Sequence, residues 1–191
     1  MASNHDTEYI DVLDEKGAPA GIKKTRAEIH RDRLRHRVVH VWLLNPDGEL
    51  LIQRRSPIKS TYPDMWDISA AGHIDAGETP EEAVMREVKE ELGIVLGEGD
   101  AQYLFTVDEG KTSLHGGGIN REFQNVYLAR VLGKEKVVLQ EDEVAEIRWV
   151  PWRELREIVE SRNPARAAQF VSHPEEYRKL FAILEKAETR A

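Results

Sequence analysis

The chain's 191 residues, 40% of them apolar, are enough to bury the core of one domain with at most an appendage. Its 35 Asp and Glu outweigh 27 Lys and Arg, and the net charge of −8 argues against a general nucleic-acid binder. The lack of cysteine excludes disulfides, thiolate metal sites and a thiol nucleophile, and no apolar run is long enough to span a bilayer, so a cytoplasmic protein without membrane or nucleic-acid partners is expected.

In chain order, EYIDVLD alternates as a strand and DEKGAPAG after it is rich in turn residues. AEIHRDRL reads as one or two helical turns. RVVHVWLLN and ELLIQRR read as strands joined by a hairpin at Pro46-Asp47-Gly48. SPIKSTYPDMW is a loop and WDIS a short strand. Residues Pro80 to Leu92 carry every mark of a helix: Thr79 and Glu82 at capping-box spacing, Pro80 at the first position and Gly93 as the stop. AQYLFTVDE, EFQNVYLARVL and EVAEIRWV read as strands, and PWRELREIVESR as a helix. PEEYRKLFAILEKAE is an amphipathic helix with Tyr177, Leu180, Phe181 and Leu184 on one side. Helices scattered among strands without a regular β-α-β beat predict an α+β fold.

The helix at residues 80–92 is unusually acidic for its context. At about 100° per residue, Val84, Val88 and Leu92 share a core-facing side. Glu87, Glu90 and Glu91 share a neighbouring side, with Ala83 leaving room one turn earlier and Arg86 pointing elsewhere. Like charges at this spacing repel by a few tenths of a kcal/mol per pair, roughly. A merely solvated Glu-rich face is the ordinary reading of such a helix. Against it, Gly72 and Gly77 in the preceding loop permit close backbone approach, and Asp75 and Glu78 add further acid. Three carboxylates in one turn suit a hard dication such as Mg²⁺, which is commonly shared with substrate phosphates.

Residues 72–94, GHIDAGETPEEAVMREVKEELGI, resemble the Nudix box, G-x5-E-x7-R-E-U-x-E-E-x-G-U with U a bulky aliphatic. Gly72, Glu78, Arg86, Glu87, Val88, Glu90, Glu91, Gly93 and Ile94 fill all its specified positions. The resemblance implies an α/β/α sandwich around a mixed β-sheet and attack of water on a diphosphate linked to another group. It implies that Gly72, Glu87, Glu90 and Glu91 bind Mg²⁺ or Mn²⁺, and that Glu78 and Arg86 form a supporting ion pair. It further implies that Glu87 or Glu91 is the general base. On this basis residues 1–34 are an N-terminal strand and arm integrated with the domain, 35–165 the Nudix hydrolase domain, and 166–191 a C-terminal helical extension.

A wider stretch, through LLIQRRSPIKSTYPDMWDISAAGH and NREFQNVYLAR, is similar to the isopentenyl-diphosphate isomerase branch of the superfamily. In that branch three His and two Glu hold a metal, and His30, His36, His73 and Glu122 stand at matching positions. The proton-transfer Cys and Glu of that branch are replaced here by Ala71 and Gln124. Neither can move a proton at carbon, and the box, degenerate in the isomerases, is complete here. The expected function is therefore a divalent-metal-dependent diphosphohydrolase acting on a small phosphorylated substrate. By analogy with the family, that substrate is a nucleoside diphosphate or a derivative of one. The alternatives are an isomerase-like enzyme and a non-catalytic nucleotide-binding regulator.

Other residues are weaker candidates. Arg54, Arg55 and Lys59 follow a predicted strand and are suited to binding substrate phosphate. Tyr62 could stack a base, while Trp66 is expected in the core. The basic run KKTRAEIHRDRLRHR reads as a charged surface. His115 and Glu109 in the glycine-rich loop 108–120, and Glu141 and Glu143 before the last strand, are candidate assisting groups. The sequence carries no signal of oligomeric state.

Overall fold

The computed structural model of the chain describes residues 8–110, 112–113, 119–161 and 163–189. A two-stranded antiparallel ribbon, β1 (Tyr9–Leu13) and β2 (Pro19–Thr25), leads into helix α1 (Arg26–Asp32). There follow β3 (His36–Leu44), β4 (Glu49–Arg55), β5 (Trp66–Asp67), β6 (Ala70–His73) and helix α2 (Pro80–Leu92). The second half comprises β7 (Ala101–Asp108), β8 (Thr112–Ser113), β9 (Ile119–Asn120), β10 (Glu122–Arg130) and β11 (Val144–Pro151), then α3 (Trp152–Val159), α4 (Pro164–Ala167) and α5 (Pro174–Glu188).

Among the described residues the central sheet has the order β11-β4-β3-β10-β7, with β5 beside β4 and β6 beside β3. β3 and β10 run parallel, pairing Glu122 with His36 through Arg130 with Leu44, and the other pairings are antiparallel. The sheet is mixed, as expected. β3 is buried on both faces because successive side chains feed two cores. Val39, Val41 and Leu43 meet Ala83, Val84, Val88 and Leu92 of α2. Trp42 and Leu44 meet Leu155 of α3 and Tyr177, Leu180, Phe181 and Leu184 of α5. Helices thus cover both faces of the sheet, an α/β/α sandwich.

The start and stop of α2 follow its sequence. Thr79 Oγ1 accepts from Glu82 N–H, the Glu82 carboxylate returns the bond to Thr79 N–H at 2.8 Å, and Gly93 ends the helix at φ +68°. The terminal helix α5 occupies the expected span, and its apolar side is core rather than an appended surface. Differences lie in the short strands. β2 is largely exposed, and its first three residues, Pro19 to Gly21, belong to the turn-rich stretch of the sequence. β6, Ala-Ala-Gly-His, carries no alternation for a sequence reading to detect. α3 starts one residue later than expected because Pro151 completes β11. No helix among the described residues is long and apolar enough to cross a membrane.

Candidate active site

α2 packs against β6, and this contact creates the acidic site. A Cβ at Gly72 would collide with the Glu87 carboxylate, so only glycine lets β6 approach the helix here. Glu91 is 5% exposed and lies beneath Glu87. Its Oε2 accepts from Gln53 Nε2 at 3.0 Å and from Ala71 N–H at 3.4 Å. Arg86 forks onto Glu78 with two hydrogen bonds of 2.9 Å and donates to the His73 carbonyl at 2.9 Å. The Glu78 carboxylate also accepts from Asp75 N–H, closing the loop against the helix. The expected Glu78–Arg86 pair is present in this geometry.

Arg86 corrects the helical-wheel expectation. It was placed off the acidic side, yet its long side chain reaches Glu87 Oε1 at 2.7 Å and Glu90 Oε2 at 3.4 Å. One guanidinium therefore serves three carboxylates, and among the described residues Glu91 has no cation of its own within ion-pair range. Burial pushes the Glu87 carboxyl up to about 7, against the pull of Arg86. Burial, the Glu87 charge and the Glu143 charge push Glu91 well above the carboxylate range.

A second cluster adjoins the first. The rings of His30, His36 and His73 have centroids 5.1 to 5.2 Å apart, with His36 and His73 stacked and His30 edge-on to both. His36 Nδ1 lies 3.1 Å from the Leu34 carbonyl and His30 Nδ1 2.9 Å from the Arg26 carbonyl. A carbonyl only accepts, so those Nδ1 atoms carry the hydrogen and the Nε2 atoms are left for other partners. The Nε2 atoms of His36 and His73 are buried without a hydrogen bond among the described residues. His36 Nε2 is 3.4 Å from Glu122 Oε1, too poorly aligned to bond. The ligand atoms of His30, His36, His73 and Glu122 lie within 4.8 Å of one another. Burial and the nearby Arg26 charge depress His73 strongly, keeping it neutral. Glu122 is driven up by burial, but His36 and Asn120 hold it at about 2.

Both clusters open on one cleft of about 650 Å³, lined also by Arg55, Lys59, Tyr62, Glu109 and Glu143. Buried carboxylates with raised pKa around a glycine cradle, and imidazoles with orphaned nitrogens beside a carboxylate, are donor sets that fit divalent cations.

The NUDIX domain family model matches residues 34–173. The chain belongs to the Nudix family. It is 39% identical over 181 residues to Nudix hydrolase 3 of Arabidopsis thaliana, covering 93% of this chain and 23% of that one. The chain thus spans under a quarter of that relative's length. It is 34% identical over 143 residues to the isopentenyl-diphosphate Delta-isomerase of Klebsiella pneumoniae subsp. pneumoniae, covering 75% of this chain and 76% of that one. DR0079 from Deinococcus radiodurans shares the fold, with a TM-score of 0.66 at 23% identity, over 94% of this chain and 98% of that one. Nudix hydrolases and Nudix-related isomerases are therefore both among its relatives.

Within this Nudix cleft, Ala71 and Gln124, the residues expected from the sequence to set the chain apart from the isomerases, both lie on the wall. Of the expected phosphate-binding residues, Arg55 and Lys59 line the cleft and Arg54 does not. Successive residues of β4 face opposite ways. Arg54 bonds instead to Glu146 and Asp64, each at 3.1 Å. Arg55 donates to the Thr61 carbonyl at 3.0 Å and to Asp67 at 3.3 Å, and Lys59 pairs with Glu143. Glu141 is off the wall, although its carbonyl anchors Ser56. His115 lies outside the described residues. Trp66 is core, with Arg148 4.4 Å over its ring. The basic run is largely engaged in ion pairs: Arg31 with its neighbour Asp32, and Arg35 with the sequence-distant Glu15 and Asp108.

Sequence reasoning missed several residues of the cleft. Gln53, which holds Glu91, lies 38 positions away from it in the chain. His40, Asp67 and His173 also line the cleft. The sequence did contain one signal for this region. Glu176 stands four residues before Leu180 and eight before Leu184, an acid on the apolar stripe of α5, and it is 1% exposed.

Proposed function

We propose that the chain is a divalent-metal-dependent hydrolase of a diphosphate linkage, with a nucleoside diphosphate or a derivative of one as the substrate class. The observation that carries this reading is the crowding of Glu87, Glu90 and Glu91 around the Gly72 cradle, with one Arg86 to offset them. Glu87, Glu90, Glu91 and the Gly72 carbonyl would hold Mg²⁺ or Mn²⁺. His30, His36, His73 and Glu122 would hold a second cation. Bound there, such an ion offsets charge on the diphosphate oxygens and acidifies water.

The chain's own groups do the rest. Arg55 and Lys59, which line the cleft, would bind the diphosphate oxygens and orient them. Water adds to phosphorus, the P–O bond to the leaving phosphate breaks, and Glu87 or Glu91 takes the water proton. The Glu87 carboxyl, raised to about 7 by burial, matches a base poised near neutrality, and burial raises Glu91 as well. Gln53 and the Ala71 N–H fix Glu91 so that it acts from one position. The Glu78–Arg86 fork keeps the loop at residues 72–78 seated on α2.

The His cluster and the isomerase relative favour proton transfer on an isoprenoid diphosphate as a second reading. Ala71 and Gln124 weigh against it, since neither side chain exchanges a proton near neutral pH. A panel of nucleoside diphosphates, nucleotide sugars and isopentenyl diphosphate, assayed with Mg²⁺ or Mn²⁺, separates the readings. Phosphate or nucleotide release that stops on adding EDTA is expected. Rearranged isopentenyl diphosphate, or ligand binding with no turnover of any member, would overturn the hydrolase reading.

A further inference from the structure

A further cluster of metal-ligating side chains stands apart from the acidic helix and from the His30, His36 and His73 group. One ring nitrogen each from His40 and His173 and a carboxylate oxygen of Glu176 lie within 4.8 Å of one another. They come from β3, from the N-cap of α5 and from its first turn. His40 is four residues beyond His36 on β3, about 13 Å along a strand, so the two histidines do not share one ion. Glu176 Oε2 lies 2.7 Å from His40 Nδ1, and Glu176 Oε1 accepts from Trp42 Nε1 at 2.7 Å. His173 Nε2 lies 2.9 Å from Asp67 Oδ1. The side chains of His40, Glu176 and His173 are 7%, 1% and 10% exposed.

Packing accounts for part of this arrangement. The Asp67–His173 and Glu176–His40 contacts tie α5 to β5 and β3. They leave His173 Nδ1, which is buried and has no hydrogen-bond partner among the described residues. Asp67 occupies the Nε2 edge, so Nδ1 is the nitrogen this ring can offer an ion. A carboxylate on the far edge of an imidazole is the common outer support of a metal-bound histidine, because it fixes the ring and raises its basicity. Trp42 supports Glu176 in the same way, satisfying one oxygen while the other stays beside His40. Two imidazoles with one carboxylate form a donor set suited to Zn²⁺, whereas Mg²⁺ takes oxygen ligands.

We propose that His40, His173 and Glu176 bind a Zn²⁺ ion, at a site separate from the two cation sites of the diphosphate reading and independent of that reading. His173 Nδ1, His40 Nδ1 and Glu176 Oε2 are the protein ligands, and a water completes the tetrahedron. The ion replaces the hydrogen that His40 and Glu176 now share. Tetrahedral bonds of about 2 Å set two ligand atoms about 3.3 Å apart, so side-chain rotation opening their 2.7 Å contact by roughly half an ångström admits it. Both histidines belong to the cleft wall, which gives the ion an entry path. Burial lowers His173 and Asp67 raises it to about 9 in the cation-free chain, so binding displaces a proton and tightens as pH rises. The bound ion fastens the start of α5 to β3.

Wild-type crystals soaked in Zn²⁺ test this without a variant. Anomalous diffraction at the zinc edge should place an ion about 2 Å from His173 Nδ1, His40 and Glu176. A water at that point, or no ion, would overturn the proposal. Two measurements in solution add to it. After dialysis, wild type should retain one Zn²⁺ per chain more than His173→Gln, which keeps a donor for Asp67 but loses the ligating nitrogen. The other two cation sites do not use His173, so they add equally to both counts. The chain has no cysteine, so His173→Cys puts a lone thiolate at the site. Loaded with Co²⁺ in place of zinc, that variant should show sulfur-to-cobalt charge-transfer absorption that wild type lacks. Equal Zn²⁺ content in wild type and folded His173→Gln, or a folded His173→Cys without this absorption, would likewise overturn it. None of these readings depends on turnover, so failure of the hydrolase reading leaves the test standing.

Discussion

Glu91 differs from Glu87 and Glu90 in having almost no access to solvent and, among the described residues, no cation within ion-pair range. A helical wheel puts the three together on an open side, but it cannot register that Gln53 from β4 and the Ala71 backbone close over Glu91. The positions of the box residues were legible because they follow fixed spacing on one helix, while their burial depends on strands distant in sequence. The difference has consequences for mutation. Glu91→Gln should lower kcat by on the order of 10²-fold or more, the scale of losing a general base. It also replaces a buried carboxyl whose ionisation burial opposes with a neutral amide of the same shape, so the metal-free variant should melt no lower than wild type; steady-state kinetics and thermal unfolding on one preparation read both effects. Gly72→Ala offers a second check at this scale. The added methyl must push the Glu87 carboxylate aside, so activity should fall by roughly tenfold or more while circular dichroism stays native, since a 1 Å displacement at a reacting centre can cost about 10²-fold.

At the level of elements, α2 could be read from sequence almost completely because its caps, its apolar stripe and its box are all local. α5 could be read only as an amphipathic helix. Its part in the cleft depends on contacts spanning more than a hundred positions, His40 to Glu176 and Asp67 to His173, which no periodicity encodes. β6 escaped because four small or polar residues carry no alternation, although it supplies both Gly72 and Ala71. The Asp67–His173 pair, which fastens the start of α5 to β5, should make stability depend on pH. His173 is raised from 6.5 to about 9, so its contribution is complete below pH 6.5 and lost as pH rises through 9. Asp67 is pushed up by burial, but His173 and Arg55 hold it at about 2, so its contribution is present above pH 3.8 and lost as pH falls through 2. Melting curves from pH 6.5 to 9 should show a declining Tm in wild type and a flatter profile in His173→Gln; parallel profiles would refute the pairing.

Across the whole molecule, the sheet works as a partition with different duties on each side. One face, packed by α2, presents the acidic site. The other, packed by α3 and α5, holds the larger aromatic core with Trp42, Trp152, Tyr177 and Phe181. Mixed topology and helices on both faces were foreseeable from the box and the strand pattern, whereas the integration of residues 174–188 into the main core was not. Deleting that helix removes Tyr177, Leu180, Phe181 and Leu184, each worth about 1.5–3 kcal/mol when buried, and uncovers Trp42, Leu44 and Leu155 beneath them. The truncated chain should therefore lack a cooperative unfolding transition, and a truncation that melts like wild type would show that α5 is dispensable. The central claim is that Glu87, Glu90 and Glu91 jointly hold a dication at the diphosphate site. It is tested most directly by counting bound Mn²⁺ by electron paramagnetic resonance in wild type and in the Glu87→Gln/Glu91→Gln double variant. The account predicts that wild type binds one Mn²⁺ per chain more than the variant; equal stoichiometry and affinity in the two proteins would contradict it.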